Sequence, residues 1–142
     1  MRLGHVGLSS SDPKSLAGFY ERFLGMRILG EAVTEPSGTL VFLSSDGHGP
    51  PDLQLMSNPA GNHVAFKVDS LADLRRLYAE APSQGANVLM SLDHGPTLSF
   101  YVRDPEGNVC EVYWETGRRS GDGTRPVDLA KSEEELLELI RS

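Results

Sequence analysis

The chain has 142 residues, with 13 Lys and Arg against 20 Asp and Glu, for a formal net charge of −7. That length fits one compact domain with a core of its own, and the acidic balance argues against a nucleic-acid or anionic-membrane partner, which needs clustered basic residues. A single cysteine excludes an intrachain disulfide and a cysteine-rich zinc module. No apolar run reaches transmembrane length, and the opening residues lack the apolar core of a signal peptide, so a soluble cytoplasmic protein is expected.

In chain order, residues 3–8 (LGHVGL) read as a strand. Ser9, Ser10, Ser11, Asp12 and Pro13 break it and cap a helix, with Leu16, Phe19, Tyr20, Phe23 and Leu24 at helical spacing and Gly25 at its end. Strands follow at about 27–33, 39–44 and 52–57, the last two separated by a Gly/Pro loop that holds His48. Residues 62–68 (NHVAFKV) form a fifth strand, and the spacing of Leu71, Leu74, Leu77 and Tyr78 predicts a helix over 70–81. Strands near 87–92, 98–103 and 109–115 complete the body, the last two forming a hairpin turned at Asp104-Pro105-Glu106-Gly107-Asn108. After Glu115, GRRSGDGTRP reads as a polar loop with little order. Ser132 with Glu135 is a capping box for a final helix whose stripe of Leu136, Leu137 and Ile140 must cover either a cleft mouth or a second subunit.

That order is βαβββ written twice. Laid on residue n+58, His5 falls on His63, Val6 on Val64, Leu16 on Leu74, Tyr20 on Tyr78, Leu40 on Leu98, Phe42 on Phe100 and Asp46 on Asp104. A slip of one in the last strand sets Gln54 opposite Glu111. The expected fold class is therefore α+β, with two βαβββ modules curling into a barrel-like mixed sheet around a cleft, plus a C-terminal helix. Residues 1–116 make the single domain, as modules of about 1–58 and 59–116, and 117–142 hold the loop and helix.

Alternation gives each strand two faces. Val64, Phe66 and Val68 are expected against the helices, which leaves His63, Ala65 and Lys67 on the other side; Cys110, Val112 and Trp114 likewise oppose Glu111. His5 shares a face with Leu3 and Gly7, and Gln54 with Asp52 and Met56. A carboxylate in mid-strand is costly unless compensated. Two imidazoles and a carboxylate meeting in one cleft make a metal site, and His5, His63 and Glu111 would suit Fe(II) with open positions for substrate and O2. Gln54 is a candidate fourth ligand that would favour Lewis-acid chemistry with Zn(II), Ni(II) or Mn(II).

The doubled pattern, with HVGL opening the first half, NHVAF the second and FYVRDPEGNVCEVYWE closing it, resembles the vicinal oxygen chelate superfamily over about residues 1–116. That group takes in glyoxalases, fosfomycin-resistance enzymes, bleomycin-binding proteins and type I extradiol catechol dioxygenases. The resemblance is strongest to the dioxygenases, which carry a Tyr ten positions before the Glu ligand, where Tyr101 stands. They also carry histidines in the two loops occupied here by His48 and His94. It implies an Fe(II)-dependent, homodimeric or higher homo-oligomeric ring-cleaving enzyme acting on an aromatic vicinal diol with O2, in aromatic hydrocarbon catabolism. In that pattern His48 supplies a proton while His94 and Tyr101 orient the catecholate. Two departures stand: Gln54 lies where glyoxalases carry a fourth ligand, and many dioxygenases have a further pair of modules. The alternatives are a glyoxalase-like or fosfomycin-resistance-like lyase or transferase, and a metal-free drug-binding protein, which would need none of the His/His/Glu set.

Overall fold

Strand alternation and helical spacing recur in the same order in both halves of the sequence, and the backbone follows them. A computed structural model of the chain describes residues 1–119 and 123–141. Its elements are β1 (Arg2–Ser9), α1 (Pro13–Leu24), β2 (Arg27–Thr34), β3 (Gly38–Ser44), β4 (Leu53–Met56), β5 (His63–Lys67), α2 (Leu71–Glu80), β6 (Asn87–Asp93), β7 (Thr97–Arg103), β8 (Val109–Glu115), β9 (Arg125–Pro126) and α3 (Glu133–Arg141), with a 3₁₀ turn at Ala81–Gln84. The class is α+β, βαβββ twice over, with the expected C-terminal helix. The chain divides into two compact units, residues 4–64, and residues 1–3 with 65–142.

In the unit of residues 4–64 the strand order is β2-β3-β4-β1, antiparallel except for the parallel pair β1 and β4. Asp12 caps α1 by accepting the Ser15 N–H, and Gly25, at φ 69°, closes it through its own N–H. Ala17, Val41, Leu43, Leu53 and Leu55 form the core with Val6, Leu8, Leu16 and Tyr20 around them. The predicted α1 stripe therefore divides. Leu16 and Tyr20 turn inward with Ala17, whose small side chain lets the helix sit close to the sheet, while Phe19 and Phe23 are 46% and 72% exposed. Those two rings stack on each other at 5.5 Å instead.

The second unit orders its strands β5-β8-β7-β6-β9, with the Val68 N–H donating to the Tyr113 carbonyl at 2.9 Å. Ser70 caps α2 by accepting the Asp73 N–H at 3.0 Å. Leu71 and Leu74 of α2 meet Leu98, Phe100 and Val112 of the sheet in one core. The α3 stripe covers the core of its own unit: Leu136 is fully buried there, with Leu137 and Ile140 packed against it. Of the β5 residues expected against the helices, Val68 is buried, whereas Val64 remains 37% exposed. Phe66 lines an apolar recess of about 260 Å³ with Phe100, Val102, Cys110 and Val112. No helix among the described residues is long and apolar enough to cross a membrane.

The described ends of the loop after Glu115 make defined contacts that its composition does not predict. Thr116 donates its N–H to Pro96 O at 2.8 Å and its hydroxyl to Gly95 O at 2.6 Å, and β9 pairs with β6 through Leu92↔Pro126 and Asp93↔Arg125. Residues 120–122 of that loop lie outside the described residues.

Truncating Leu136 to Ala removes a fully buried side chain, and the expected cost is roughly 2–5 kcal/mol. Chemical denaturation of the variant measures it; an unchanged midpoint would mean that α3 does not close this core.

Candidate functional site

The register of residues 4–64 puts polar groups on one face of the sheet. Opposite Gln54 stand Gly7 on β1 and Phe42 on β3, and His5 alternates onto the same face as Gly7. Val6, Leu8, Leu53 and Leu55 fill the other side, in the core beneath α1. His63 opens β5 beside them. Its Nδ1 lies 2.8 Å from the Gly61 carbonyl, which can only accept, so Nδ1 carries the proton and Nε2 presents a lone pair. That Nε2 faces the Nε2 of His5 at 3.1 Å, the rings meeting edge to face. A metal–imidazole bond of about 2.1 Å, with two such bonds at right angles, would space the nitrogens about 3 Å apart. The pair thus fits two neighbouring positions on one divalent ion.

Gly7 is what allows this approach. A Cβ built there falls on Cε1 and Nδ1 of His63 and within 3.1 Å of Gly61 O, so any side chain would displace the ring. Gln54 is half-buried on the same face as His5. His48 is exposed in the loop between β3 and β4. Its backbone N–H donates to Asp46 Oδ1 at 2.9 Å, and among the described contacts none ties its ring to His5 or His63. Asp46 is held below the usual carboxylate range by the Ser44 hydroxyl first and that His48 N–H second.

In the other unit, the turn sets what faces what. Asp104 Oδ1 accepts the N–H groups of Glu106 and Asn108 at 2.9 and 2.8 Å, and Gly107 takes φ 88°. The hairpin so closed places Tyr101 opposite Glu111, where side chains on one face touch. Glu111 is 5% exposed. Burial first, then the Glu111 charge and its hydrogen bond, push the Tyr101 hydroxyl far above the ordinary phenol range, so it stays protonated as a donor. His94 Nε2 lies 3.0 Å from that hydroxyl, and His94 Nδ1 lies 3.0 Å from the Thr124 hydroxyl. Tyr113, also on the Glu111 face, is pushed up to about 12 by burial and then by Glu115 and Glu111. Lys67 pairs with Glu115 at 3.1 Å. Cys110 faces the core, as its alternation with Glu111 predicts, and burial raises its thiol further.

Sequence reasoning missed Asp93. It is fully buried beside His94, accepting from the Gly95 N–H at 2.8 Å and from the guanidinium groups of Arg118 and Arg125. Burial raises its pKa, but Gly95, Arg118 and Arg125 outweigh that and hold the carboxyl below its usual value. Thr124 and Gly7 were missed as well; nothing in a linear pattern marks them, because their partners lie 30 and 56 residues away.

Two βαβββ units, one with a close histidine pair and one with a buried carboxylate on its last strand of the repeat, define a paired-module α+β protein. The chain belongs to the Glyoxalase/Bleomycin resistance protein/Dioxygenase superfamily, whose family model matches residues 2–112. It is 28% identical over 122 residues to biphenyl-2,3-diol 1,2-dioxygenase 3 of Rhodococcus globerulus, covering 78% of this chain and 62% of that protein, so it spans under two thirds of that relative's length. Its fold is similar to the 2,3-dioxygenase LapB of Pseudomonas sp. KL28, with TM-score 0.66, 18% identity and coverage of 88% of this chain and 46% of that one. Its fold is also similar to methylmalonyl-CoA epimerase of Streptomyces coelicolor, with TM-score 0.63, 24% identity, and coverage of 85% of this chain and 99% of that one.

Replacing Gly7 with Ala should displace His63, break its bond to Gly61 and weaken divalent-metal affinity roughly 10–100-fold; calorimetric titration with Zn(II) measures the loss, and unaltered affinity would mean that the His63 ring does not need this approach. The Asp93 carboxyl has a depressed folded pKa, so its stabilisation is present above the unfolded value of about 3.9 and is lost as pH falls through the lower folded value. Thermal melts below pH 4 should therefore fall more steeply for the parent than for Asp93→Asn, which should itself be less stable at neutral pH by roughly 1–3 kcal/mol.

Proposed function

We propose that the chain is a metal-dependent ring-cleaving dioxygenase of the extradiol type, acting on a catechol-class aromatic diol with O2. What supports this most is the hydrogen-bonded row of His94, Tyr101 and Glu111, in a chain related to a biphenyl-2,3-diol dioxygenase. His5, His63 and Glu111 are assigned to hold the ion. Their donor set suits Fe(II) ahead of Mn(II), Zn(II) or Ni(II), and Gln54 is a candidate fourth ligand. When bound, the ion supplies Lewis acidity to a chelated hydroxyl and a redox path to O2. His63 contributes an Nε2 lone pair already fixed by Gly61. His94 and Tyr101, the latter held as a phenol, are assigned to hydrogen-bond the catecholate and align its ring. His48 is assigned to hold the proton that ring opening consumes. Both atoms of O2 enter the product, which opens beside the diol to a semialdehyde or keto acid.

A second reading is a metal-dependent isomerase with Gln54 as a ligand. It is favoured by the near-complete coverage of methylmalonyl-CoA epimerase and by the position of Gln54 on the His5 face. It would work with Zn(II), Ni(II) or Mn(II) and be indifferent to air.

Anaerobic loading with Fe(II), followed by air and a panel of catechols including 2,3-dihydroxybiphenyl, separates the readings. A yellow product that needs both iron and O2 and vanishes in His63→Ala is expected; silence across the panel with iron bound turns the case to the isomerase. In an active enzyme His48→Gln should keep iron and substrate binding while kcat falls roughly 100-fold, and an active His48→Gln removes that residue from the mechanism.

A further inference from the structure

We propose that the Ser99 hydroxyl is a reserve hydrogen-bond partner for Tyr101, taking up the phenol oxygen when His94 turns to a bound ligand, which makes Ser99 a positioning residue. Its functional meaning rests on the dioxygenase reading, but its geometry lies wholly within the unit of residues 65–142.

Ser99 is fully buried in the middle of β7, and its hydroxyl has no hydrogen-bond partner among the described residues. A buried hydroxyl left without a partner costs stability, so alanine would serve better if the resting fold were all that mattered. The register shows what covers it. Leu92 pairs with Ser99 and Asp93 with Leu98, so His94, whose N–H donates to Thr97 O at 2.9 Å, stands beyond Ser99 at the start of β7. Tyr101 lies on the other side of Ser99, two residues further along and on the same face. For its hydroxyl to come within 3.0 Å of His94 Nε2, the phenol must lean back along the strand and across Ser99. Ser99 is therefore within electrostatic reach of that hydroxyl, without a hydrogen bond of ordinary geometry to it.

A bound catecholate changes this arrangement. His94 and Tyr101 both turn to the ligand, and the bond between them breaks. A phenol oxygen has one proton to give and lone pairs to fill. When its proton goes to the ligand, the oxygen accepts from Ser99, and a hydroxyl that accepts one hydrogen bond donates the next more strongly. Ser99 thus holds Tyr101 as a donor once its resting partner has left.

The test is a double-mutant cycle in the metal-free full chain, read by urea denaturation. Ser99→Ala alone is expected to leave the midpoint unchanged or to raise it. In a His94→Phe background, which keeps a ring but removes its nitrogens, Ser99→Ala should lower the midpoint, because Ser99 has become the partner of Tyr101; adding Tyr101→Phe should abolish that loss. In the iron-loaded enzyme Ser99→Ala should reduce kcat for 2,3-dihydroxybiphenyl roughly tenfold, with no further reduction in a Tyr101→Phe background. A lower midpoint for Ser99→Ala with His94 present, or no loss in the His94→Phe background, overturns the proposal, and so does a Ser99→Ala enzyme as fast as an active parent. Coupling in the metal-free chain with no turnover by the iron-loaded parent overturns the dioxygenase reading and leaves the pairing of Ser99 with Tyr101 standing.

Discussion

Glu111 sits in the middle of β8 with its carboxylate out of water, and that placement constrains everything around it. Removing an ionised carboxylate from solvent costs several kcal/mol unless donors replace the lost hydration. It cannot rotate out, because Val112 and Cys110 on either side pack into the core of the helix-covered face. The Tyr101 phenol is one donor, delivered by the hairpin register that Asp104 and Gly107 set in their turn. Tyr101 in turn needs a partner for its own oxygen, which brings in His94, and His94 brings in the segment beyond β8. A local burial cost thus organises residues spread over more than thirty positions of the sequence.

The histidine pair works by a different economy. What matters is that Gly61 takes the Nδ1 proton of His63 and so turns its Nε2 lone pair toward His5. In the absence of an ion, His5 must donate to that lone pair. Binding an ion to both nitrogens requires His5 to shift its proton to Nδ1, so one ring is set in advance and the other adapts.

Much of this was legible in the sequence because strands write their faces at a period of two. The repeat, the opposition of Cys110 and Glu111, and the sharing of one face by His5, Gly7 and Gln54 all follow from alternation. Helical stripes were read less well. Leu16, Phe19, Tyr20 and Phe23 are equally apolar, and only the small volume of Ala17 decides that the helix turns its 16/17/20 edge to the sheet. The ion pairs of Asp93 were illegible for another reason: Arg118 and Arg125 stand in a stretch of loop chemistry, 25 and 32 residues from the carboxylate they reach. His48 was singled out by its loop position, and the structure leaves it exposed there.

Gly7 also bears on how the two halves can diverge. Its counterpart in the repeat is Ala65, which is fully buried, so the second half carries a methyl group where the first can carry none. Recombination between duplicated segments tends to make them alike. Here, copying the second half onto the first would drive a methyl group into the His63 ring, and copying the first onto the second would open a methyl-sized void in a packed interior. The internal symmetry of the chain is therefore protected from becoming exact by a single carbon atom.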